Sequence, residues 1–298
     1  MRIAVTGLEG QVATALRERA GATEIVALGR PRLDLSDRES VRAALREARC
    51  DAIVNAAAYT AVDRAEQEEE LARRVNGAGA GFVAEAASEL GAPLLHLSTD
   101  YVFDGALDRP YHEEDAVGPT GAYGRSKLDG ERRVAAACAN AAIMRTAWVY
   151  SPFGANFVRT MLRLGETRDE VGVVDDQLGN PTSALDIADA LLAIAARLAQ
   201  DPAPELRGTF HMTGAGEASW ADMAEAVFAR AERHGRKPVR VRRIETADYP
   251  TPAKRPANSR LDNAKLARVH GVALPSWRES LAACVDRLLD GAASQRNA

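Results

Sequence analysis

The sequence predicts an α/β fold: a doubly wound parallel sheet followed by a smaller, discontinuous C-terminal domain. Short, almost wholly apolar segments alternate with segments whose apolar residues recur at helical spacing, and a glycine-containing turn joins the first strand to the first helix. Strands that are apolar on both sides are typical of parallel sheets covered by helices on both faces. The predicted sheet is therefore of the Rossmann type.

The elements of the first half follow one another in regular alternation. A first strand is predicted at 2–7, with a helix in "QVATALRERAG", and a second strand at 24–29. Ser36 and Glu39 form a predicted capping box for the next helix. Further strands are predicted at 51–58, 93–100 and 141–150, with helices at about 62–90 and 123–138.

The organisation changes after about residue 150, where irregular connections become longer. The strongly apolar helix at 184–200 is predicted to return to the first domain, and Ser219 with Asp222 to cap a later helix. The predicted first domain comprises 1–150 with about 183–203, the second comprises about 151–182 with 204–290, and 291–298 form a flexible tail.

Composition excludes several classes of protein. The net charge of -4 argues against a general nucleic-acid binder, and no apolar run approaches the roughly 18 residues of a membrane helix. The cysteines Cys50, Cys138 and Cys284 form neither a metal-ligand spacing nor a disulfide framework. The start "MRIAVTG" lacks a signal-peptide core. We therefore expect a cytoplasmic protein without nucleic-acid or membrane partners.

The first turn carries the cofactor signal. "TGLEGQVA" places Gly7, Gly10 and Ala13 three residues apart, where a strand becomes a helix. Glycine lets the backbone approach a pyrophosphate, and a helix N-terminus offers free N–H groups. The motif differs from G-x-G-x-x-G because Val5 occupies the first position. Its context predicts a dinucleotide site rather than a simple turn.

The end of the second strand bears on the choice of cofactor. An acidic residue there favours NAD, whereas an arginine suits the 2′-phosphate of NADP. Here Arg30 and Arg32 come first and Asp34 follows. NADPH is modestly favoured, NADH stays open, and the two arginines could also be solvated loop residues.

A tyrosine and a lysine four residues apart, Tyr123 and Lys127, open a predicted helix. They share one helical face, so the ammonium is expected to lower the pKa of the phenol and prepare it for acid–base chemistry. The neighbouring strands end in "STDYVFDG" and "RTAWVY", which present Thr99, Asp100, Arg145 and Trp148 at the same edge. This joint placement favours an active site over a surface pair.

These motifs resemble a known family. The glycine turn, the Ser/Thr after the fourth strand and YxxxK resemble the extended short-chain dehydrogenase/reductases. "NAAAYTAVDRAE", "LSTDYVFDG", "AYGRSKLDGE", "RTAWVYSPFGANFV", "DQLGNPTSALDIA" and "RPANSRLDNAKL" resemble the dTDP-4-dehydrorhamnose reductases within them, from residue 3 to about 285. Ala13, in place of the usual last glycine, and "PTGAYGRSK" are small departures that remove no reacting group.

The resemblance implies an NAD(P)H-dependent reduction of the 4-keto group of a dTDP-linked 6-deoxy sugar, giving dTDP-L-rhamnose. Tyr123 would donate the proton, Lys127 would support it and hold the nicotinamide ribose, and Thr99 would hydrogen-bond the carbonyl. Asp100, Trp148 and Arg255 would contact the substrate, the last from the second domain. The implied cofactor-binding residues are Gly7, Gly10, Gln11, Val12, Arg30, Asp34, Leu35, Ala57, Ala58, Tyr59, Thr60, Tyr123 and Lys127.

Several alternatives stay open at this point. The same site would suit another nucleotide-linked 4-keto-deoxysugar, and the fold also occurs in epimerases, in dehydratases and in a non-catalytic NADP-binding regulatory subunit of methionine adenosyltransferase. Some family members bind magnesium between subunits. No acidic cluster predicts such a metal site here, which leaves magnesium and the oligomeric state, including a homodimer, undecided.

Overall fold

The structure is a computed structural model that describes the backbone of residues 1–296 and side chains through residue 291. Its strands are β1 (Arg2–Thr6), β2 (Glu24–Leu28), β3 (Ala52–Asn55), β4 (Leu94–Thr99), β5 (Ala141–Thr146), β6 (Val149–Tyr150), β7 (Glu170–Val174), β8 (Leu178–Gly179), β9 (Thr182–Ser183), β10 (Gly208–His211), β11 (Ala218–Ser219) and β12 (Arg240–Ile244).

The α-helices are α1 (Gln11–Arg19), α2 (Arg38–Ala48), α3 (Val62–Ala65), α4 (Glu69–Ala72), α5 (Gly79–Leu90), α6 (Ala122–Ala137), α7 (Phe157–Thr167), α8 (Ala184–Gln200), α9 (Trp220–Arg233), α10 (Ala264–His270) and α11 (Trp277–Arg296). A π-helical turn, Arg73–Ala78, joins α4 to α5. Short 3₁₀ turns lie at Asp100–Val102, Pro204–Leu206 and Thr246–Asp248.

The main sheet confirms the predicted fold class. Six parallel strands run in the order β10-β5-β4-β3-β1-β2. The order reverses between β1 and β3, so a crevice opens beyond their carboxyl ends. Along β1, Ile3 and Val5 face one core and Ala4 faces the other. This explains why the strands read as continuous apolar runs.

Helices cover both faces of this sheet. α1 and α8 pack together on one face, where Leu16, Leu191 and Ile194 are almost fully buried. α2, α5 and α6 cover the other face. The apolar segment 184–200 thus lies against the first half of the chain, as its sequence predicts.

A third apolar cluster joins α7, α9, α11 and β7 through residues such as Met161, Val227 and Trp277. β10 falls within the range 204–290 predicted for the second domain, yet it pairs with β5 as an edge strand of the main sheet. The chain therefore crosses back to this sheet once more after α8, and the predicted boundary at residue 204 does not coincide with a change of sheet.

The helix ends confirm one predicted cap and correct another. Ser219 and Asp222 form the predicted capping box of α9. Asp37, and not Ser36, caps α2, because its carboxylate accepts the amide protons of Glu39 and Ser40. The flexible tail predicted at 291–298 stays a prediction: the described backbone is helical to Arg296, and residues 297–298 lie outside the described residues.

Cys50, Cys138 and Cys284 are all free thiols. Within residues 1–296, no helix has both the length and the apolar composition needed to cross a bilayer. The described side chains also contain no group of three or more histidine, cysteine, aspartate or glutamate residues arranged to hold a metal ion.

Candidate active site

The turn after β1 has the geometry that a dinucleotide requires. Gly7 adopts φ +104°, a conformation that favours glycine, and its amide donates to the carbonyl of Leu28 at 2.7 Å. α1 begins after Gly10 without a side-chain cap, so its first N–H groups, starting at Gln11 and Val12, are free of a capping side chain. A Cβ on Gly10 would meet nothing within 4 Å. These residues fit a bound pyrophosphate.

The alanine-rich loop after β3 is fixed from two sides. The amide of Ala57 donates to the hydroxyl of Thr6 at 3.1 Å. Further on, Asn76 of the π-helical turn accepts from the amide of Tyr59 at 2.7 Å and donates to its carbonyl at 3.0 Å. Ala58 and Thr60, which flank Tyr59, are therefore held along the crevice beside the glycine turn.

The loop after β2 separates the two candidate arginines. Arg32 pairs with Glu47 at 3.1 Å, whereas Arg30 is exposed and makes no ion pair with a described residue. The Asp34 carboxylate accepts from the amide and hydroxyl of Ser36, which lower its pKa. Leu35 is buried beside it. Arg30 is thus the better placed of the two arginines to meet a phosphate.

Tyr123 and Lys127 lie one turn apart at the start of α6, above the end of β4. The Lys127 side chain is buried, and its Nζ donates to the carbonyl of Leu97 at 2.6 Å. Burial lowers the pKa of Lys127 to about 8, while the charge of Glu131 acts in the opposite direction. Thr99, at the end of β4, is buried next to the tyrosine.

The electrostatics of Tyr123 differ from the expectation. Its pKa is raised, chiefly by burial and then by the nearby Asp100 carboxylate, and a hydrogen bond with Thr99 only partly offsets this. Burial and Asp100 outweigh any effect of Lys127 on this pKa, and the Lys127 ammonium donates to the carbonyl of Leu97. The phenol is therefore held in its protonated form, which is the form that donates a proton.

Asp100 is buried and only half satisfied. Its Oδ1 accepts from the Thr99 hydroxyl at 2.9 Å, but its Oδ2 has no hydrogen-bond partner among the described residues. Burial raises the pKa of Asp100 to about 6, against hydrogen bonds from Ser259 and Thr99. A carboxyl group with one unused oxygen beside Tyr123 can accept a hydrogen bond from a sugar hydroxyl.

Trp148 forms an aromatic stack with Trp220. Its backbone has φ +48°, and its ring stacks on Trp220 with a centroid distance of 3.6 Å. The Trp220 indole N–H donates to Gln177 at 3.2 Å, and Gly179 leaves room for the Trp148 ring. Sequence reasoning missed Trp220, because a tryptophan opening a capped amphipathic helix gives no signal beyond core packing.

Arg255 and Arg145 have partners that the sequence did not predict. Arg255 donates to Asp63 of α3 at 2.8 Å. Burial raises the pKa of Tyr101, whose ring meets Tyr123 edge-on, to about 12, and the nearby Arg255 offsets this only in part. Asp63 lies inside a motif that the sequence analysis quoted without assigning it. Arg145, expected to face the ligand, is buried and paired with Glu131, so it supports the site from below.

Comparison with known proteins identifies the family. Residues 1–290 match the family described as the RmlD substrate binding domain. A dTDP-4-dehydrorhamnose reductase from Sinorhizobium fredii is 53% identical over 290 residues, which cover 97% of this chain and 98% of that protein. The protein of that name from Escherichia coli K12 is 44% identical over 248 residues, 82% of each chain.

Solved structures agree. A dTDP-4-dehydrorhamnose reductase from Clostridium acetobutylicum matches with a TM-score of 0.90 and 38% identity, covering 97% of this chain and 99% of that one. The enzyme from Bacillus anthracis, in complex with NADP, matches with a TM-score of 0.89 and 34% identity, covering 96% and 99%. As the sequence motifs predicted, this chain belongs to the family of the dTDP-4-dehydrorhamnose reductases.

Proposed function

We propose that this protein uses NADPH or NADH to reduce the 4-keto group of dTDP-4-dehydro-6-deoxy-L-mannose, giving dTDP-L-rhamnose. One observation supports this most directly: Tyr123, Lys127 and Thr99 gather at the carboxyl end of β4 in a chain that matches reductases of this name along almost its whole length. Fold alone would not distinguish a reductase from an epimerase, but the family membership favours the reductase.

The residues of the site can carry out the proton half of the reaction. When bound, the nicotinamide supplies the hydride to the carbonyl carbon. Tyr123 then gives its proton to the carbonyl oxygen, and Thr99 donates a hydrogen bond to the charge that develops there. Because the pKa of Tyr123 is raised, the phenol carries its proton at neutral pH. Lys127 stabilises the phenolate that remains.

The remaining candidates divide between the two ligands. Asp100 and Trp148 would hold the sugar, and Arg255, oriented by Asp63, would reach the diphosphate. Arg30 would favour NADPH by contacting its 2′-phosphate. The proposed pyrophosphate, adenosine and nicotinamide contacts are Gly7, Gly10, Gln11, Val12, Asp34, Leu35, Ala57, Ala58, Tyr59 and Thr60.

Two wider features remain part of the proposal. The three free thiols fit a reducing cytoplasm, where the substrate nucleotide sugar would be made. A homodimer also belongs to the proposal, while a role of magnesium stays undecided; light scattering with and without a chelator would test both points.

The test is to generate the 4-keto sugar nucleotide in situ and follow oxidation of NADPH and NADH separately. Wild-type protein should oxidise at least one of them and release dTDP-L-rhamnose. Tyr123→Phe removes the proton donor and should lower kcat on the order of a hundredfold or more. Tyr249→Phe, at a tyrosine that is 62% exposed, is the matched control and should leave kcat unchanged.

Three other outcomes would point elsewhere. Turnover of a different nucleotide-linked ketone would keep the reductase and change the sugar. Tight NADPH binding without turnover of any ketone would support a regulatory subunit. Near-normal activity of Tyr123→Phe would remove Tyr123 from the mechanism.

A further inference from the structure

A buried carboxylate lies one helical turn below Lys127. Tyr123, Lys127 and Glu131 are spaced four residues apart on α6 and share one face of the helix. Glu131 is only 5% exposed. Neither the glycine turn nor the substrate candidates account for a buried charge at this position, and burying one is costly unless it is paired.

Two strands of the main sheet hold this carboxylate in place. The Ser98 hydroxyl donates to Oε1 of Glu131 at 2.5 Å, and Arg145 donates to both carboxylate oxygens at 2.9 and 2.7 Å. Ser98 and Arg145 are direct neighbours in the β4–β5 register. The guanidinium also lies 5.0 Å from the centre of the Phe103 ring. Glu131 is therefore fixed from the sheet side.

Lys127 and Glu131 form hydrogen bonds with two consecutive residues of β4. The Lys127 ammonium bonds the carbonyl of Leu97, and the Glu131 carboxylate bonds the side chain of Ser98. A buried ammonium with a single neutral acceptor is poorly solvated, and its charged form is disfavoured. The Glu131 carboxylate, on the next turn of α6, is the nearby group that favours the charged form of Lys127.

The other charged or titratable groups around Lys127 do not replace Glu131. On β4, the buried His96 is neutral because its pKa lies well below the ordinary value. Just after β4, Asp100 and Tyr101 lie near Tyr123. On β5, Arg145 forms an ion pair with Glu131. Two arginines of α6 form ion pairs at the surface: Arg125 with Glu69 of α4, and Arg133 with Asp129. On the neighbouring elements, Arg73 also pairs with Glu69, and Arg38 of α2 pairs with Glu85 of α5.

We propose that Glu131, clamped by Arg145 and Ser98, is a positioning residue that keeps Lys127 charged, one helical turn from Tyr123, during proton donation. The inference rests on the proposed reductase function, because it assigns a role within that reaction. The proposal adds Glu131 to the pair Tyr123 and Lys127 on the same face of α6. The ion pair between Glu131 and Arg145 anchors this row of side chains to the sheet.

The first test measures Lys127 directly and needs no substrate. The chain has only four lysines, Lys127, Lys237, Lys254 and Lys265, so protein labelled with ¹³C at the lysine ε-carbon gives a simple spectrum, and Lys127→Arg assigns the signal. Glu131→Gln should lower the pH midpoint of the Lys127 signal on the order of one unit. An unchanged midpoint in folded Glu131→Gln would overturn the inference.

The second test is the pH profile of kcat. If charged Lys127 is required, activity falls as pH rises through the pKa of Lys127, and Glu131→Gln should move this basic limb downward by the same amount as the signal. A purely structural Glu131 would lower kcat at every pH without moving the limb. Asp286→Asn, which breaks the Arg230–Asp286 pair on α9 and α11, is the matched control and should leave the limb unchanged.

Glu131→Gln leaves Arg145 buried and unpaired, which could unfold the protein. The double variant Glu131→Gln with Arg145→Met avoids this problem, because both charges are removed together. It should still lower the pH of the basic limb of kcat and the pH midpoint of the Lys127 signal. If the Lys127 midpoint falls in these variants but no variant or wild-type protein reduces a ketone, the reductase proposal fails while the role of Glu131 toward Lys127 stands. If turnover is normal and neither readout moves, the role of Glu131 is refuted.

Discussion

At the scale of single residues, burial decides how the chemical groups of the site behave. Tyr123 and Lys127 look from their spacing like a pair in which the ammonium activates the phenol. In the structure, burial raises the pKa of Tyr123 and lowers that of Lys127 to about 8. Burial disfavours the charged form of each group, so both shifts have the same physical cause. The tyrosine is thereby held in its protonated form rather than as a phenolate.

Arg30 provides a prediction at this scale. Arg30→Ala should raise the KM for NADPH about tenfold, the loss expected for one charge-assisted hydrogen bond, and leave the KM for NADH unchanged. Arg32→Ala is the matched control, since Arg32 is already paired with Glu47 at the surface. Steady-state kinetics with both cofactors measures this. An equal effect on NADPH and NADH would place Arg30 away from the 2′-phosphate.

At the scale of elements, the site depends on where helices begin and on how closely strands approach side chains. α1 presents uncapped N–H groups at the crevice, and α6 lines up Tyr123, Lys127 and Glu131 on its inner face. β8 approaches the Trp148 ring so closely that only glycine fits at residue 179: a Cβ there would lie 2.4 Å from Cε2 of Trp148. The position of Trp148 therefore depends on a strand far from it in sequence.

Gly179→Ala should displace Trp148 and raise the KM for the sugar nucleotide severalfold, as Trp148→Ala also should if the indole packs on the sugar. Overpacking at such a site typically costs about 1–3 kcal/mol of stability. Gly118→Ala is the control, because its Cβ would meet only an ordinary 3.7 Å contact with Asp104. Substrate kinetics and urea unfolding measure both effects. An unchanged KM in Gly179→Ala and Trp148→Ala would return Trp148 to the core.

At the scale of the whole molecule, stability against acid depends on buried neutral histidines. His96, His211 and His270 are each at most 6% exposed. Burial lowers the pKa of His211 to about 3 and of His270 to about 4, and lowers that of His96 well below its usual value. Asp100 acts in the opposite direction, because burial raises its pKa to about 6.

The sign of the pH dependence follows from proton counting. Below about pH 6.5 the three histidines bind protons in the unfolded chain but not in the folded one, so stability falls as pH falls. Between pH 6 and 4, Asp100 binds a proton in the folded state only. This offsets about one of the three protons that the histidines bind in the unfolded chain. The free energy of unfolding should therefore drop by about 2–3 kcal/mol per pH unit between pH 6 and 5.

Urea unfolding at pH 7, 6 and 5 tests this expectation. His211→Gln should reduce the slope by about 1.4 kcal/mol per pH unit, since one proton is removed from the count. His112→Gln, at an exposed histidine, should leave the slope unchanged. A pH-independent free energy of unfolding between pH 7 and 5 would show that the buried histidines are not neutral in the folded protein.

The sequence by itself determined the parallel sheet, the glycine turn and the Tyr123–Lys127 pair, because each depends on a local pattern of apolar spacing, glycine placement or helical periodicity. It also determined the family, since the motifs around Thr99 and Trp148 are specific as strings of residues. Local signals failed where two equivalent groups compete, as when Asp37 rather than Ser36 capped α2.

Only the tertiary structure decided which groups are buried and what they contact across the chain. The Glu131–Arg145 pair, the stack of Trp148 on Trp220, the Asp63–Arg255 contact and the return of β10 to the main sheet each join segments that are separated in sequence. Burial and charge pairing are properties of the packed molecule. The protonation of Tyr123 and Lys127, which depends on both, follows from the packing and could not be read from their spacing on one helix.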